Sequence, residues 1–145
     1  MNIKERIPGL IVMAILALGL GVIASKFMGG PSSGPGTKVA VTVPELSAAA
    51  QQGKVTFDAN CAKCHGTNAS GSDQGPPLVH NIYNPGHHAD GAFFLAVQKG
   101  VRKHHWPYGN MPAQPEVGQS EVVAIIQYVR ELQQANGITY KPHNM

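Results

Sequence analysis

The five-residue sequence Cys61-Ala62-Lys63-Cys64-His65 constrains this chain more than any other feature. Its two thiols are the only cysteines among 145 residues. Thiols at this spacing can add to the two vinyl groups of a haem, and the histidine that follows is then held beneath the iron as its proximal ligand. A thioredoxin-like redox pair would need a βαβ pattern around it, and a zinc site would need a second cysteine pair. The motif therefore predicts one haem c, bound covalently through Cys61 and Cys64, with His65 as an iron ligand.

The net positive charge of the chain is confined to its N-terminal part. The formal net charge is +3, but residues 45–145 contain seven basic and seven acidic side chains, so the whole surplus lies in residues 1–44. A basic chain would ordinarily suggest a nucleic-acid partner, and the neutral body removes that argument. Two cysteines are too few for a disulfide scaffold, and 43% apolar residues are too many for a disordered chain.

An uncharged run of 19 residues separates Arg6 from Lys26. As a helix this run would extend about 28 Å, which is close to the hydrocarbon thickness of a bilayer. Residues 1–28 are therefore predicted to form an N-terminal transmembrane anchor. A signal peptide, retained or cut near Ala24, is the alternative. Basic residues flank both ends of the run equally, so charge alone does not orient it.

Residues 29–44 begin with glycine, proline and serine and are predicted to be a flexible linker. The remaining domain, residues 45–145, contains three segments with helical signals. They start at the N-cap candidates Ser47, Asp90 and Ser120 and extend to Asn60, Lys99 and Ala135. The last segment has an apolar face at helical spacing, formed by Val122, Ile125, Val129 and Leu132. Inside the first segment, Gly53 costs about 1 kcal/mol relative to alanine and therefore indicates a close approach of another helix.

The chain resembles the class I (monohaem) cytochrome c family at several positions beyond the cysteine motif. The similar segments are Gly53-Lys54-Val55-Thr56-Phe57, Gly75-Pro76-Pro77-Leu78 and Gly109-Asn110-Met111-Pro112, and Tyr128 stands where the family's last helix has an aromatic residue. The resemblance implies an all-α cytochrome c fold, with three to five short helices around one covalently bound haem and a close crossing of the first and last helices. Together with the predicted single transmembrane helix before the fold, it suggests a membrane-anchored bacterial type.

The resemblance also implies roles for residues outside the cysteine motif. The Pro76 carbonyl would accept a hydrogen bond from the far ring nitrogen of His65, with Pro77 as the alternative acceptor, and this bond would orient the imidazole. Leu78 would pack on the haem. Met111 would be the second axial ligand of the iron, which raises its potential and closes it to substrate.

Two pairs of adjacent histidines, His87-His88 and His104-His105, stand outside these motifs. The second pair offers a bis-histidine alternative to Met111 as sixth ligand. Two such pairs can also indicate a copper or zinc site. Neighbouring residues on one loop rarely aim at a single ion, however, so solvated loop histidines are the simpler interpretation. The same loop contains candidate donors to haem propionates, namely Arg102, Trp106 and Tyr108.

The resemblance implies an electron-transfer protein and not an enzyme. With the predicted anchor, it would be a membrane-tethered carrier of single electrons between respiratory or photosynthetic membrane complexes. The implied partners are redox proteins in or on the membrane: a quinol–cytochrome c oxidoreductase, a terminal oxidase, a reductase or a photosynthetic reaction centre. A permanently bound cytochrome c subunit of one oxidoreductase complex is the alternative. A haem enzyme or gas sensor with an open distal site is a further one.

The resemblance also orients the predicted anchor. The family carries its haem in the periplasm or its equivalent, which implies a single-pass protein of the bacterial cytoplasmic membrane with the haem domain on the periplasmic side. Five basic side chains are candidates to surround the haem edge and steer an acidic partner, although a scattered, solvated set explains them equally well. These are Lys54, Lys63, Lys99, Arg102 and Lys103.

Overall fold

Four α-helices form the frame of residues 37–142, the part of the chain that the computed structural model describes. In chain order they are α1 (Ala48–Asn60), α2 (Ala62–His65), α3 (Asp90–Lys99) and α4 (Gln119–Ala135). Short 3₁₀ turns at Thr67–Ala69 and Asn81–Tyr83 lie between α2 and α3. Within this range there is no strand, and one isolated antiparallel bridge joins Val101 to Met111. The predicted all-α class is confirmed for the described residues.

The predicted transmembrane anchor, residues 1–28, lies outside the described residues. Among residues 37–142, no helix combines the length and the apolar character that a membrane span requires. The described end of the predicted linker contacts the folded body: Val39 N–H donates to the Ser70 carbonyl at 2.9 Å, and Thr42 exchanges two hydrogen bonds with Asn136 at 2.8 and 2.9 Å. The predicted linker boundary at residue 44 stays a prediction.

The helix starts agree with the sequence analysis at one position and differ at two. Ser47 caps α1, since its hydroxyl oxygen accepts a hydrogen bond from the N–H three residues later at 3.2 Å. Asp90 is the first residue of α3 and not its cap. At this position its negative carboxylate interacts favourably with the positive end of the helix dipole. The predicted cap Ser120 is also wrong, because α4 begins at Gln119 with Gly118 as its cap. The Glu121 carboxylate accepts a hydrogen bond from Gly118 N–H at 2.8 Å and stabilises this earlier start.

Helices α1 and α4 meet backbone to backbone at Gly53. A Cβ atom at this position would lie 1.9 Å from the carbonyl oxygen of Ala124, so only glycine fits there without moving a helix. One turn further along α1, the fully buried rings of Phe57 and Tyr128 pack edge to face with centroids 5.5 Å apart. The close approach predicted from Gly53 is confirmed. It ties the end of α1, where the cysteine motif begins, to the hydrophobic core.

Candidate functional site

An apolar cavity of about 520 Å³ lies beside the cysteine motif. This volume is within the range of about 300–1,000 Å³ that is typical of small-molecule and cofactor sites. Its apolar walls come from α1, α3, α4 and the loops between them. The larger side chains of these walls are Phe57, Leu78, Phe93, Leu95, Val97 and Ile125.

Most of the predicted site residues meet at this cavity. Cys61, His65, Pro76, Leu78 and Met111 line it. Cys61 and His65 lie four positions apart across the single turn of α2, so they share one face of that turn. Cys64 is not among the lining residues, and its Sγ lies 3.8 Å from Gln74 Oε1. The structure therefore gathers five of the six predicted residues around one space and places the second thiol beside it.

The His65 ring is oriented by a backbone carbonyl. Its Nδ1 lies 2.9 Å from Pro76 O, and because a carbonyl only accepts hydrogen bonds, Nδ1 must carry the proton. Nε2 is then the nitrogen with a free lone pair, which is the form that binds a metal. Burial lowers the pKa of His65, against a smaller opposite effect of the Pro76 hydrogen bond, so the ring is neutral. The predicted hydrogen bond is confirmed, with Pro76 and not Pro77 as acceptor.

The Cys61 thiol is unsuited to thiolate chemistry on its own. Burial, with smaller contributions from the nearby Cys64 and Glu116 side chains, raises its pKa to about 11. A redox-active cysteine needs a lowered pKa, because the thiolate is the reactive form. These surroundings therefore disfavour the thioredoxin-like redox pair considered in the sequence analysis.

A buried glutamine, which the sequence analysis missed, holds the loop that carries Leu78. Gln133 is only 1% exposed. Its amide nitrogen donates to the carbonyls of Leu78 and Tyr83 at 2.9 and 3.0 Å, and its amide oxygen accepts from Arg130 at 2.7 Å. The available signal was its position four residues after Val129, on the predicted apolar face of α4. A polar residue on such a face is expected to satisfy buried groups of a neighbouring segment.

Met111 is held by the segment that returns along the end of α3. It shares two 3.0 Å backbone hydrogen bonds with Val101. Gly100 has a φ of +72°, and a Cβ there would lie 2.4 Å from the Met111 carbonyl oxygen, so this approach requires glycine. Gln114 N–H donates to the Val97 carbonyl at 2.7 Å and ties the following residues to α3. Main-chain contacts thus fix the position of Met111 in the cavity wall.

The cavity also has polar groups in its lining. Trp106 Nε1 is buried without a hydrogen-bond partner among the described residues. Burial raises the pKa of Tyr83 to about 12, against an opposing effect of the Trp106 side chain. Tyr108 O–H donates to Ser72 O at 3.1 Å. A buried N–H without an acceptor is costly unless a ligand supplies one.

These residues fit a haem. The walls are suited to its apolar ring, His65 Nε2 to its iron, and Cys61 to one of its vinyl groups. The propionates would supply the acceptor that Trp106 Nε1 lacks and the anionic groups suited to Arg102 and Lys103, which also line the cavity. The donor set and the lining therefore agree with the cofactor that the cysteine motif predicts.

The two histidine pairs lie close together in the structure, with His104 and His105 exposed and His87 and His88 partly buried. Nε2 of His87 lies 3.0 Å from Nε2 of His105, although 18 positions separate them. His88 and His104 pack against the same group of rings. Burial lowers the pKa of His88, with smaller contributions from His87, His104 and Arg130 against the opposing hydrogen bond to Ile82. This proximity, which the sequence analysis did not anticipate, arises because the turn at 84–88 and the loop at 102–105 meet in space.

The five basic candidates separate into different environments. Arg102 and Lys103 line the cavity. Lys54 instead forms an i,i+4 ion pair with Asp58 on the exposed surface of α1. An exposed pair of this kind contributes little to stability, and it partly neutralises Lys54 as a steering charge. The structure thus places Arg102 and Lys103 at the cavity and gives Lys54 an ion-pair partner away from it.

Comparison with known proteins gives one family. A family model described as Cytochrome c matches residues 50–133, which is more than half of the chain. Comparison with curated proteins and with solved structures gives no match. The matched range includes the cysteine motif, the Pro76 loop, both histidine pairs and the crossing of α1 with α4.

Proposed function

Since this chain belongs to the cytochrome c family and is accordingly an electron-transfer haem protein, we propose that it is a membrane-tethered carrier of single electrons with one haem c in the cavity beside Cys61. The observation that carries the proposal is the convergence of Cys61, His65 and Met111 on that cavity, with His65 oriented by the Pro76 carbonyl. Cys61 and Cys64 would hold the haem, and His65 Nε2 would ligate its iron. When bound, a haem c supplies an iron that alternates between the ferric and ferrous states.

The protein's own residues favour electron transfer over catalysis. The hydrogen bond to Pro76 keeps the His65 ring in one orientation, and the cavity that His65 lines has mostly apolar walls. Met111, held by main-chain hydrogen bonds, would close the opposite side. With His65 and Met111 both bound to it, the iron would offer no position for a substrate and would rearrange little when an electron arrives.

Two contacts favour Met111 over the adjacent histidines as second axial ligand. His104 Nδ1 donates to the Arg102 carbonyl at 2.9 Å, within its own loop. His105 faces His87 at 3.0 Å. His104 and His105 line the same cavity as Met111, but both of their imidazoles already have a partner in their own surroundings, and this favours Met111 as the iron ligand.

Replacing Met111 by alanine is expected to abolish the thioether–iron charge-transfer band of the ferric protein and to lower its reduction potential. The thioether raises the potential relative to histidine or water, within the span of about 0.8 V that axial ligands cover. Absorption spectroscopy and redox titration of the purified full-length protein measure both quantities. His104→Ala is the matched control and should leave band and potential unchanged. The opposite result, with His104→Ala losing the low-spin spectrum, would identify a bis-histidine haem.

The proposed tether rests on the uncharged run before Lys26. We expect the full-length protein in the membrane fraction, released by detergent but not by a salt wash, because a run of this length and polarity suits the hydrocarbon layer. The matched control is a variant that starts at residue 29 behind a cleavable signal peptide, and it should be soluble in the periplasm. Soluble full-length product with a mass lacking about the first 24 residues would contradict the anchor.

The proposed partners are membrane redox complexes: a quinol–cytochrome c oxidoreductase as donor, and a terminal oxidase, a reductase or a photosynthetic reaction centre as acceptor. Arg102 and Lys103 line the cavity and are the cations placed to steer an acidic partner toward it. The alternative is a permanent subunit of one oxidoreductase complex. Purification in mild detergent distinguishes the two, since a subunit would co-purify with its complex at a fixed ratio.

A further inference from the structure

Three histidine side chains converge at the edge of the cavity, where His88 and His105 are part of its lining, and the electron-carrier function does not require this cluster. His87, His88 and His105 each offer one nitrogen, and these three nitrogens lie within 4.8 Å of one another. We refer to these residues as the histidine triad. Two members come from the turn at 84–88 and the third from the loop after α3, so the triad exists only in the folded chain.

The distance within the triad suits a metal ion. Nε2 of His87 and Nε2 of His105 are 3.0 Å apart. Metal–nitrogen bonds of about 2.0–2.1 Å place two adjacent ligand nitrogens about 2.9–3.4 Å apart in square-planar or tetrahedral coordination. A hydrogen bond between the two rings would give a similar distance, and this is the alternative that the experiment below tests.

The third histidine has the supporting hydrogen bond that metal-binding histidines usually make. His88 Nδ1 lies 2.8 Å from the carbonyl oxygen of Ile82. Since that oxygen can only accept, Nδ1 carries the proton, and Nε2 is left as the nitrogen able to bind a metal. A backbone carbonyl on the non-ligating nitrogen fixes both the tautomer and the ring orientation of a metal ligand.

Both segments of the triad are held in place without a metal. The Arg130 guanidinium donates to the carbonyls of His88 and Tyr83 at 2.6 and 2.9 Å, and also to the Asp90 carboxylate at 2.9 Å. On the other side, Lys103 N–H donates to Asn110 Oδ1 at 3.0 Å. The ordering of the ligand-bearing segments is therefore largely complete before any ion arrives, which favours tight binding.

We propose that His87, His88 and His105 form a binding site for one divalent late first-row transition metal ion, with Cu²⁺ bound most tightly. The donor set is entirely imidazole, which suits copper, zinc and nickel and is poor for calcium and magnesium, ions that need oxygen ligands. Among divalent ions of this row, copper has the highest affinity for such a set. The ring centroids of His104 and His105 are 4.2 Å apart, and His104 is a neighbour of the site and not one of its ligands.

The test is a Cu²⁺ titration of purified full-length ferric protein, followed by equilibrium dialysis, metal analysis and electron paramagnetic resonance. We expect one bound Cu²⁺ per chain with three nitrogen ligands in its spectrum. His87→Gln and His105→Gln should each weaken binding by about tenfold or more, since even outer-shell partners of metal ligands change affinity by about 10–100-fold. His104→Gln, the matched control on the same loop, should change it by less than about threefold.

Two results would overturn the proposal. If the His87→Gln/His105→Gln double variant binds as much Cu²⁺ as the unaltered protein, the triad is not a metal site and the two rings share a hydrogen bond. If His104→Gln weakens binding as much as His105→Gln, the assigned ligand set is wrong.

The outcome is separable from the haem proposal. Intact mass first shows whether a haem is attached. Where it is not, the free thiols would compete for copper, so the same titration is made in a Cys61→Ser/Cys64→Ser background, whose native near-ultraviolet circular dichroism would first show that the domain folds without a haem. Loss of copper binding there on His105→Gln supports the triad even if the proposed haem attachment fails.

Discussion

The Cys61→Ser/Cys64→Ser variant, which cannot attach a haem covalently, is expected to lose its cooperative fold. The cavity of about 520 Å³ would then lack its cofactor. At about 24 cal/mol per Å³, an empty cavity of this size would cost up to about 12 kcal/mol, an upper figure because part of it faces solvent. The whole stability of a small domain is about 5–15 kcal/mol. Near-ultraviolet circular dichroism and thermal unfolding measure the loss.

The matched control for this variant is Lys63→Ser, which changes the exposed residue between the thiols and leaves both in place. It should bind haem and unfold cooperatively at the midpoint of the unaltered protein. A thiol-free variant that unfolds at that same midpoint, with native near-ultraviolet signals, would show that the domain does not depend on a cofactor in the cavity.

Gly53→Val is expected to destabilise the haem-containing protein by about 3 kcal/mol or more. The added Cβ would lie 1.9 Å from Ala124 O and 2.9 Å from Ile125 N, which are backbone atoms that no side-chain rotation can move. Helices α1 and α4 would have to separate, which adds overpacking strain and disturbs the Phe57–Tyr128 contact. Urea unfolding measures the change in the free energy of unfolding.

Gly91 provides the matched control for that substitution. It also lies in a helix, but a Cβ there would meet nothing within 4 Å. Gly91→Ala should therefore be neutral or stabilising by about 0.5–1 kcal/mol, as expected from helix propensity alone. Equal losses for Gly53→Val and Gly91→Ala would contradict the assigned helix crossing.

Sequence reasoning succeeded where the determinant was local. The prediction of haem attachment rests on the spacing of Cys61, Cys64 and His65, which five consecutive residues contain. Gly53 departs from helix propensity in a way that indicates contact, and the structure has that contact with Ala124. The apolar face of α4 is equally a matter of spacing along one helix, and its four predicted residues are buried. In each case the backbone geometry of one short segment limits where its side chains can lie.

Sequence reasoning failed where several weak interactions compete. The caps of α3 and α4 were misplaced because one hydrogen bond, such as that from Gly118 N–H to Glu121, decides the first turn. Gln133 was not recognised, since its partners Leu78 and Tyr83 lie at least 50 positions away. Nothing near residue 133 shows which carbonyls it will meet.

By itself, the sequence predicted the attachment chemistry from the spacing of the two thiols and the close helix crossing from one glycine within a helix, while the all-α class followed from the resemblance to class I cytochromes c. Only the tertiary structure decided that Pro76 and not Pro77 orients His65, and that the two histidine pairs converge. The physical reason is the same in both cases. Contacts between segments far apart in the chain depend on how loops close and pack, which residue spacing does not encode.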